Sequence, residues 1–337
     1  MNKLIKSNRG GLEMKSKDWI FLAPCAVGGA ILGTCLYIGY RMMYTPSETI
    51  NKWPSDYGLL YEDVSFDGPV RNKGGKRLML SGWWIPAQEE GVIRDSRYTV
   101  ILSHGYHNVR TLEGIALFDL VKQMSADGYH VLMYDFRHCG FSEGRMSTGG
   151  YLERYDLLAA IRYVKKEKHC HHIVLMGWSM GAAVSIMAGA MAKEVRGIIA
   201  DSPYADLKHY LYENMSRFTK LPSFPFSYLT VGLTKHWLRM NIKEVSPLEA
   251  AKQLGKRPLL LIHAEGDEVI PYKDTLTIYE AIKEKGKVDY WVPTVQGHIR
   301  AYIHEKKAYE EKVLNFLHHL AYPKRRHCQV KRIVGKY

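Results

Sequence analysis

The feature that most constrains this chain is a regular alternation of short apolar runs and helix-length segments between about residues 57 and 320. Turn residues bound each run, as is typical of strands that are buried on both faces of a parallel sheet. The strand candidates are Tyr61–Phe66, Arg77–Trp83, Tyr98–Ser103, His130–Asp135, His172–Met176, Gly197–Ala200, Pro258–Ile262 and Asp289–Val292. The helix candidates are Leu112–Met124, Tyr151–Lys166, Met180–Ala192, Lys273–Lys285 and Ala301–Leu320. This alternation predicts an α/β fold in which a mostly parallel eight-stranded sheet carries helices on both faces.

Two segments depart from the alternation. The first two strand candidates are joined by turn residues, Asp67-Gly68 and Gly74-Gly75, without a helix, so we expect the sheet to begin with an antiparallel pair. The segment Tyr204–Lys243 is long, mostly helical in composition and rich in aromatic residues. Because an insertion beyond the carboxyl end of a strand overhangs the ligand-binding edge of an open sheet, we expect a helical cap here. The alternative for any single aromatic side chain is that it only packs the insertion onto the body.

A membrane anchor is predicted near the N-terminus. Residues Trp19–Tyr40 form a stretch of 22 residues without a formal charge, which as a helix would extend roughly 33 Å, enough to cross the hydrocarbon core of a bilayer. Five Lys and Arg residues precede the stretch and Arg41 follows it, so the positive-inside rule predicts a single-pass protein of the cell membrane whose N-terminus is cytoplasmic and whose remaining chain lies outside. Three alternatives stay open: a cleaved signal peptide, lipidation at Cys35, and a buried helix.

Composition and charge narrow the class of protein. A hydrophobic content of 46% excludes disorder as the main state, and five scattered cysteines form neither a disulfide framework nor a zinc-binding pattern, so no metal is expected. The formal net charge of +13 is concentrated at the two ends, which favours a membrane surface over nucleic acid as the acidic partner. We expect five parts: a basic cytoplasmic segment (1–18), the anchor (19–40), a linker (41–56), the α/β domain (57–322, with the cap at about 204–243) and a basic tail (323–337).

A candidate nucleophile lies between an apolar strand and a helix of small residues. The sequence Gly177-Trp178-Ser179-Met180-Gly181 has the form GxSxG. A change from strand to helix within two residues strains the serine backbone and exposes its hydroxyl, and the turn is tight enough to require glycine two residues before and after the serine. The string alone is weak evidence, but its position after a strand and before a helix is the context that the motif requires. We therefore predict that Ser179 is the nucleophile.

A serine hydroxyl needs a base to take its proton and an acid to orient that base. Asp267 follows the apolar strand candidate that ends at Ile262, and His298 follows the last strand candidate. The chain order Ser179, Asp267, His298 is the one expected for a strand–serine–helix site of this type. Asp201, which also follows a strand candidate, is the alternative acid, and Glu265 and Glu268 are weaker alternatives.

Backbone N–H groups that stabilise a developing oxyanion are expected in two places. One is the N–H of Met180, because it opens the helix that follows the nucleophile. The other is the N–H of Tyr106, in the loop after the third strand candidate, where Gly105 allows a close approach of the backbone. His104 in the same loop is interpreted as a residue that braces the loop, with a role as base as the alternative.

From about Tyr57 to Leu320 the chain resembles the α/β-hydrolase superfamily, and within it the serine aminopeptidase and monoacylglycerol-lipase-like serine hydrolases. The matching pieces are His104-Gly105-Tyr106, the segment 134–144, Gly177–Gly181, Asp201-Ser202-Pro203, the Asp267 loop and Gly297-His298. The resemblance implies an acyl-enzyme on serine, formed without a metal or an organic cofactor. Two positions depart from the family pattern, because Ala264 and His138 each replace a glycine that is usual there, and both changes could alter the mouth of the pocket.

The residues and the resemblance together predict a membrane-anchored serine hydrolase that cleaves carboxylic esters of small-molecule or lipid type. The alternative is a peptidase with the same triad, which should present a pair of carboxylates near the cap, but Asp206, Glu213 and Glu244 make no obvious pair. A binding protein on a hydrolase fold would typically lack a member of the triad, and all three are present. The acyl group, the leaving group and the oligomeric state are left open by the sequence.

Overall fold

The strands of this protein form a sheet whose topology explains where the candidate site residues meet. The computed structural model describes residues 16–71, 77–238 and 240–321. The strands in these ranges are β1 (Glu62–Arg71), β2 (Arg77–Ile85), β3 (Gln88–Glu89), β4 (Val92–Ile93), β5 (Tyr98–Ser103), β6 (His130–Tyr134), β7 (His172–Trp178), β8 (Val195–Asp201), β9 (Pro258–Ile262) and β10 (Lys287–Trp291). Within the described ranges, eight of them form one sheet in the order β1-β2-β6-β5-β7-β8-β9-β10.

Strand direction in this sheet agrees with the prediction. β1 and β2 pair antiparallel, as do β2 and β6, whereas the pairs from β6 to β10 are parallel. The predicted mostly parallel eight-stranded sheet with an antiparallel start is therefore confirmed. The small hairpin of β3 and β4 was not predicted, because two-residue strands carry no periodic signal.

The helices cover both faces of the sheet. They are α1 (Ser16–Tyr44), α2 (Leu117–Ala126), α3 (Glu153–Lys166), α4 (Met180–Met191), α5 (Leu207–Thr219), α6 (Tyr228–Leu238), α7 (Pro247–Ala251), α8 (Lys273–Ile282), α9 (Ala301–His304) and α10 (Lys306–Ala321), with 3₁₀ turns at Pro54–Tyr57 and Ile242–Glu244 and an irregular turn at Ser223–Ser227. Alternate residues of β7 enter different apolar layers: Ile173 and Leu175 join the layer that contains α3 and α4, and Val174 and Met176 join the layer that contains α2 and α10. A strand that is buried on both faces explains why its sequence is continuously apolar.

Helix α1 contains the predicted anchor and continues four residues past its predicted end at Tyr40. Its residues Pro24–Tyr44 are long and apolar enough to cross a membrane, and only 11% of the most apolar stretch is buried against the rest of the chain. The buried exceptions include Cys35 and Met43, and α1 packs along α6 and the turn before it. Residues 1–15 of the basic N-terminal segment and the basic tail 323–337 lie outside the described residues.

Candidate active site

Ser179 lies in a strained turn between β7 and α4. Its backbone has φ 55° and ψ −121°, and its N–H donates to the carbonyl oxygen of Asp201 at 2.8 Å. A Cβ on Gly177 would overlap the carbonyl of Gly181, and a Cβ on Gly181 would overlap the carbonyl of Ser103. Both glycines of the GxSxG motif are therefore required by close backbone contacts, and the strain at Ser179 is of the kind that accompanies an exposed nucleophile.

Asp267 is held in place by the loop after β9. Its Oδ1 accepts hydrogen bonds from the N–H groups of Val269 at 2.8 Å and Ile270 at 2.9 Å, and its Oδ2 accepts from Nδ1 of His298 at 2.7 Å. Burial alone would raise the pKa of Asp267, but hydrogen bonds from His263 and His298 hold its pKa well below the usual range. The carboxylate is thus ionised and oriented toward the predicted base.

His263 is a second imidazole on this carboxylate, and sequence reasoning assigned it no role. Its side chain is fully buried, and its Nε2 lies 3.3 Å from Oδ2 of Asp267 and 2.9 Å from the carbonyl oxygen of Ile270. Its Nδ1 lies 2.7 Å from the hydroxyl of Thr275. Because Nε2 faces two acceptors, we assign the proton to Nε2 and a hydrogen bond from Thr275 to Nδ1. The signal in the sequence was a histidine at the end of β9, four residues before the acid.

His298 lies in the loop after β10 with 19% of its side chain exposed. The loops of Asp267 and His298 are joined where the N–H of Gly297 donates to the carbonyl of Gly266 at 3.0 Å. Because Asp267 binds Nδ1, the second ring nitrogen, Nε2, is available to a group in the cavity. His298 and Ser179 both line this cavity. In the ranges that the structure describes, Ser179 and His298 share the cavity wall without a direct hydrogen bond, and such catalytic contacts commonly tighten only when substrate binds.

The alternative acid, Asp201, is occupied by hydroxyl groups. Its Oδ1 accepts from Ser202 Oγ at 2.9 Å, and its Oδ2 accepts from the hydroxyl of Tyr309 at 2.8 Å. The same Tyr309 hydroxyl accepts from Nε1 of Trp178 at 3.1 Å. Burial raises the pKa of Asp201 to about 6, against the lowering effect of these hydroxyl hydrogen bonds. Among the two aspartates, it is Asp267 that is hydrogen-bonded to the His298 ring.

The loop that carries Tyr106 lies directly beside Ser179. A Cβ on Gly105 would sit 3.5 Å from Cβ of Ser179, which is an ordinary van der Waals distance, so the approach is close but, contrary to the prediction, does not itself require glycine. His104 braces the loop, because its Nδ1 donates to the carbonyl of Gly105 at 2.7 Å and its Nε2 accepts from the N–H of Phe136 at 2.9 Å. Burial lowers the pKa of His104, so the ring is neutral and matches the bracing role rather than that of a base.

The predicted oxyanion residues border the same cavity. Met180 and Tyr106 both line it beside Ser179 and His298. Among the hydrogen bonds of the described residues, neither of their N–H groups is engaged by another protein group. Two free backbone donors beside a serine hydroxyl can stabilise the negative charge of a tetrahedral intermediate.

The cavity above Ser179 has a volume of about 650 Å³ and a mostly apolar lining. The cap contributes Leu207, Tyr210, Met215, Phe218, Val231 and Met240, among others. The end of α1 contributes Arg41, Met42 and Met43, and Thr45 directly after the helix also lines the cavity. No cluster of three or more potential metal-ligating side chains occurs in the described ranges. The site can therefore hold an extended apolar group next to the predicted nucleophile, the predicted base and two backbone donors.

A strained serine at a strand-to-helix turn, an aspartate–histidine pair at the ends of later strands, and a sheet of this topology define the α/β-hydrolase class. The model of the Hydrolase_4 family, serine aminopeptidase S33, matches residues 94–250. The uncharacterized protein YqkD of Bacillus subtilis is 30% identical over 226 residues, which cover 66% of this chain and 72% of YqkD. The chain therefore belongs to the α/β-hydrolase family and is a serine hydrolase.

Two further relatives carry names that state an activity. The lysophosphatidylserine lipase ABHD12 of Macaca fascicularis is 26% identical over 242 residues, which cover 66% of this chain and 56% of that protein. The esterase Pf2001 of Pyrococcus furiosus has a solved structure that superposes with a TM-score of 0.64 at 29% identity, covering 81% of this chain and 97% of the esterase. These similarities support an esterase- or lipase-like hydrolase.

Proposed function

We propose that this protein hydrolyses carboxylic esters through an acyl-enzyme on Ser179. His298 takes the hydroxyl proton as Oγ attacks the ester carbonyl carbon, and it returns that proton to the leaving alkoxide as the acyl–oxygen bond breaks. A water molecule, deprotonated by the same imidazole, then attacks the acyl carbon. The bond from that carbon to Oγ breaks, Oγ receives the proton from His298, and the carboxylic acid is released. The observation that carries the proposal is the 2.7 Å hydrogen bond from His298 Nδ1 to Asp267, on a ring that lines one cavity with Ser179.

The proposed oxyanion donors are the N–H groups of Met180 and Tyr106. Met180 is the first residue of α4, so its N–H points out of the helix and adds the positive end of the helix dipole. The Tyr106 loop also borders the serine, since Gly105 lies against Ser179. Donors that are fixed before the reaction stabilise the transition state without reorganisation, which is the largest contribution in many hydrolases.

The lining of the cavity favours an ester with an apolar acyl chain. A cavity of about 650 Å³ falls within the usual range for small-molecule sites, and its cap and α1 residues are mostly aliphatic or aromatic. Burial of each methylene of a bound chain contributes about 0.8 kcal/mol. We therefore propose a lipid-like monoester as substrate, in line with the lipase and esterase names of the relatives.

The carboxylates near the cap argue against the aminopeptidase alternative. Asp206 accepts a hydrogen bond from the N–H of His209 and caps α5. Glu213 pairs with the side chain of His209, and Glu244 pairs with Arg154. Each acid is engaged in a local contact, and none belongs to the cavity lining. An amino terminus in the cavity would lack the pair of carboxylates that such a substrate requires.

Membrane anchoring through α1 is part of the proposal. Side chains such as Val27, Leu32, Leu36 and Tyr37 are exposed on α1. In water these apolar groups are unfavourably hydrated, and a lipid environment would remove that free-energy cost. The positive-inside rule then places the N-terminus in the cytoplasm and the hydrolase domain outside. A protease added to intact cells should degrade the hydrolase domain, and protection of that domain would reverse the proposed orientation.

The substrate proposal is tested with a rate panel. The full-length protein in detergent is given p-nitrophenyl esters of increasing acyl chain length, together with aminoacyl p-nitroanilides, and Ser179→Ala serves as the control. We expect kcat/KM to rise with chain length until the cavity is filled, and no turnover of the anilides or by the variant. Faster cleavage of the aminoacyl amides would replace the esterase proposal with a peptidase.

A further inference from the structure

The C-terminal end of α1 has backbone carbonyls that the helix itself does not satisfy. The last carbonyls of any helix lack intrahelical donors, and Pro46 removes the N–H that would have reached Met42. The Met42 carbonyl instead accepts from the hydroxyl of Tyr106 and from Nε2 of His107, the latter at 3.2 Å. The Met43 carbonyl accepts from the N–H of Ser147 at 2.9 Å. The helix end is therefore completed by loops of the hydrolase domain.

The residues after the helix are fixed in the same way. The Thr45 carbonyl accepts from Nε2 of His138 at 3.2 Å, and Ser47 Oγ accepts from the N–H of Gly140 at 3.0 Å. The N–H of Glu48 donates to the carbonyl of His107 at 2.9 Å. In a flexible tether these backbone groups would hydrogen-bond to water. The segment between the anchor and the domain is therefore packed as an integral part of the domain.

His138 shows that this attachment has a cost in backbone conformation. Its φ of 64° lies in the left-handed region, which favours glycine. A non-glycine residue there costs on the order of 1 kcal/mol. The imidazole that glycine would lack is the donor to Thr45, so the hydrogen bond to the α1 linker offsets the strain.

Tyr106 connects this attachment to the chemistry. Its hydroxyl binds the end of α1, its ring lies 3.8 Å from the ring of His107, and its backbone belongs to the loop that lies against Ser179. The loop therefore lies against the serine turn and is hydrogen-bonded to the Met42 carbonyl. Met43, which is only 3% exposed, completes the cavity wall at the same place.

We propose that the last turn of α1 positions the oxyanion loop, which carries Tyr106, through the Met42 carbonyl. The anchor helix then contributes to the geometry of the active site. Met42 acts here as a positioning residue, because its carbonyl touches Tyr106 and His107 rather than the reacting atoms. The inference rests on the proposed esterase function and on the Tyr106 N–H as an oxyanion donor.

The direct test removes the hydroxyl of Tyr106 and keeps its ring and its backbone N–H. The full-length Tyr106→Phe variant in detergent is assayed with p-nitrophenyl butyrate, with active sites counted by a fluorophosphonate probe. Because the oxyanion donor is then less well fixed, we expect kcat to fall about tenfold and KM to change less than about twofold. This is part of the rate enhancement that one oxyanion donor provides. The matched control, Tyr228→Phe, alters an exposed tyrosine on α6 and should match the wild type.

The second donor allows a rescue experiment. His107→Leu removes the Nε2 hydrogen bond to Met42, and His107→Gln keeps an N–H donor of similar reach. We expect a loss of kcat in the leucine variant that the glutamine variant recovers at least in part. If His107 had a purely structural role, both variants would have a lower melting temperature, and kcat per active site would not differ between them.

A third variant changes the spacing between α1 and the domain. Two glycines inserted between Tyr44 and Thr45 should lower kcat toward the soluble ester about tenfold or more, whereas the same insertion between Glu90 and Gly91, in the exposed turn of the β3–β4 hairpin, should not. The inference would be overturned if the Tyr106→Phe variant and the variant with glycines after Tyr44 both had the same kcat as the wild type. An inactive wild type would instead overturn the proposed function, so the two failures are distinguishable.

Discussion

The ends of β8 and β9 place two buried aspartates beside the same histidine loop, and the two carboxylates differ in their partners. Asp267 after β9 is bound by two imidazoles and two backbone N–H groups. Asp201 at the end of β8 is bound by the hydroxyls of Ser202 and Tyr309. Burial opposes ionisation at both sites, yet the pKa of Asp267 is lowered and that of Asp201 is raised to about 6. A position near the site is therefore not enough for a carboxylate to orient the base. The carboxylate must also be ionised, and a partner that can carry a positive charge favours its ionised form.

Asp267→Asn should give the largest effect in this comparison. Asparagine keeps the shape of the side chain but removes the charge that stabilises the imidazolium and fixes the tautomer of His298. We expect kcat for a soluble ester to fall about 10³- to 10⁴-fold, as in other triads. Steady-state kinetics with fluorophosphonate-counted active sites measure this loss, and a fall of less than about tenfold would show that another group supports the base.

His263 provides a smaller test of the same carboxylate. His263→Leu removes one hydrogen bond to Asp267, and a hydrogen bond to a charged group is worth about 1.5 kcal/mol, which corresponds to about tenfold in rate. We expect kcat to fall by about this factor, with partial recovery in His263→Gln, which retains an N–H donor. Equal rates in the leucine variant and the wild type would mean that His298 and the backbone N–H groups suffice to orient Asp267.

Asp201→Asn should have the smallest effect on turnover, with kcat within about threefold of the wild type, because Asp201 does not bind His298. Its effect is on stability. The folded-state pKa of about 6 lies above the unfolded value of about 3.9. The stability contributed by the bound proton is therefore complete below about pH 4 and is lost as the pH rises through about 6.

Urea unfolding across this pH range gives the measurement for Asp201. The free energy of unfolding of the wild type relative to Asp201→Asn should fall by roughly 3 kcal/mol between about pH 4 and pH 8. Asp267, whose pKa is lowered, should show the opposite sign, with stability gained above about pH 4. A pH-independent difference for Asp201→Asn would contradict the assignment of a raised pKa to this residue.

The sequence predicted the parts of the fold that local patterns specify. Buried strands such as β5 and β9 were located to the residue, because continuous apolar runs between turn residues have few other interpretations. The strained serine was also predictable, because its two glycines lie in the same short segment. These features depend on neighbours in the chain.

The remaining features depend on contacts between distant segments. His263 reaches Thr275 and Ile270 only when the loop after β9 has folded around it. The segment 41–56 has the composition of a linker, and nothing in its sequence shows that Met43 will be buried by the hydrolase domain. The carbonyls of Met43 and Thr45 accept hydrogen bonds from Ser147 and His138, which lie about a hundred residues further along the chain. Local composition therefore understates how closely α1 is joined to the candidate site.

The central claim is that Ser179 is a nucleophile activated by His298, and mapping of a covalent adduct tests it most directly. The full-length protein is treated with a fluorophosphonate, digested, and analysed by mass spectrometry, with Ser179→Ala and His298→Ala in parallel. We predict one adduct on the peptide that contains Ser179 in the wild type, strongly reduced labelling in His298→Ala, and none in Ser179→Ala. Labelling of Ser179→Ala to the same extent as the wild type would contradict the account.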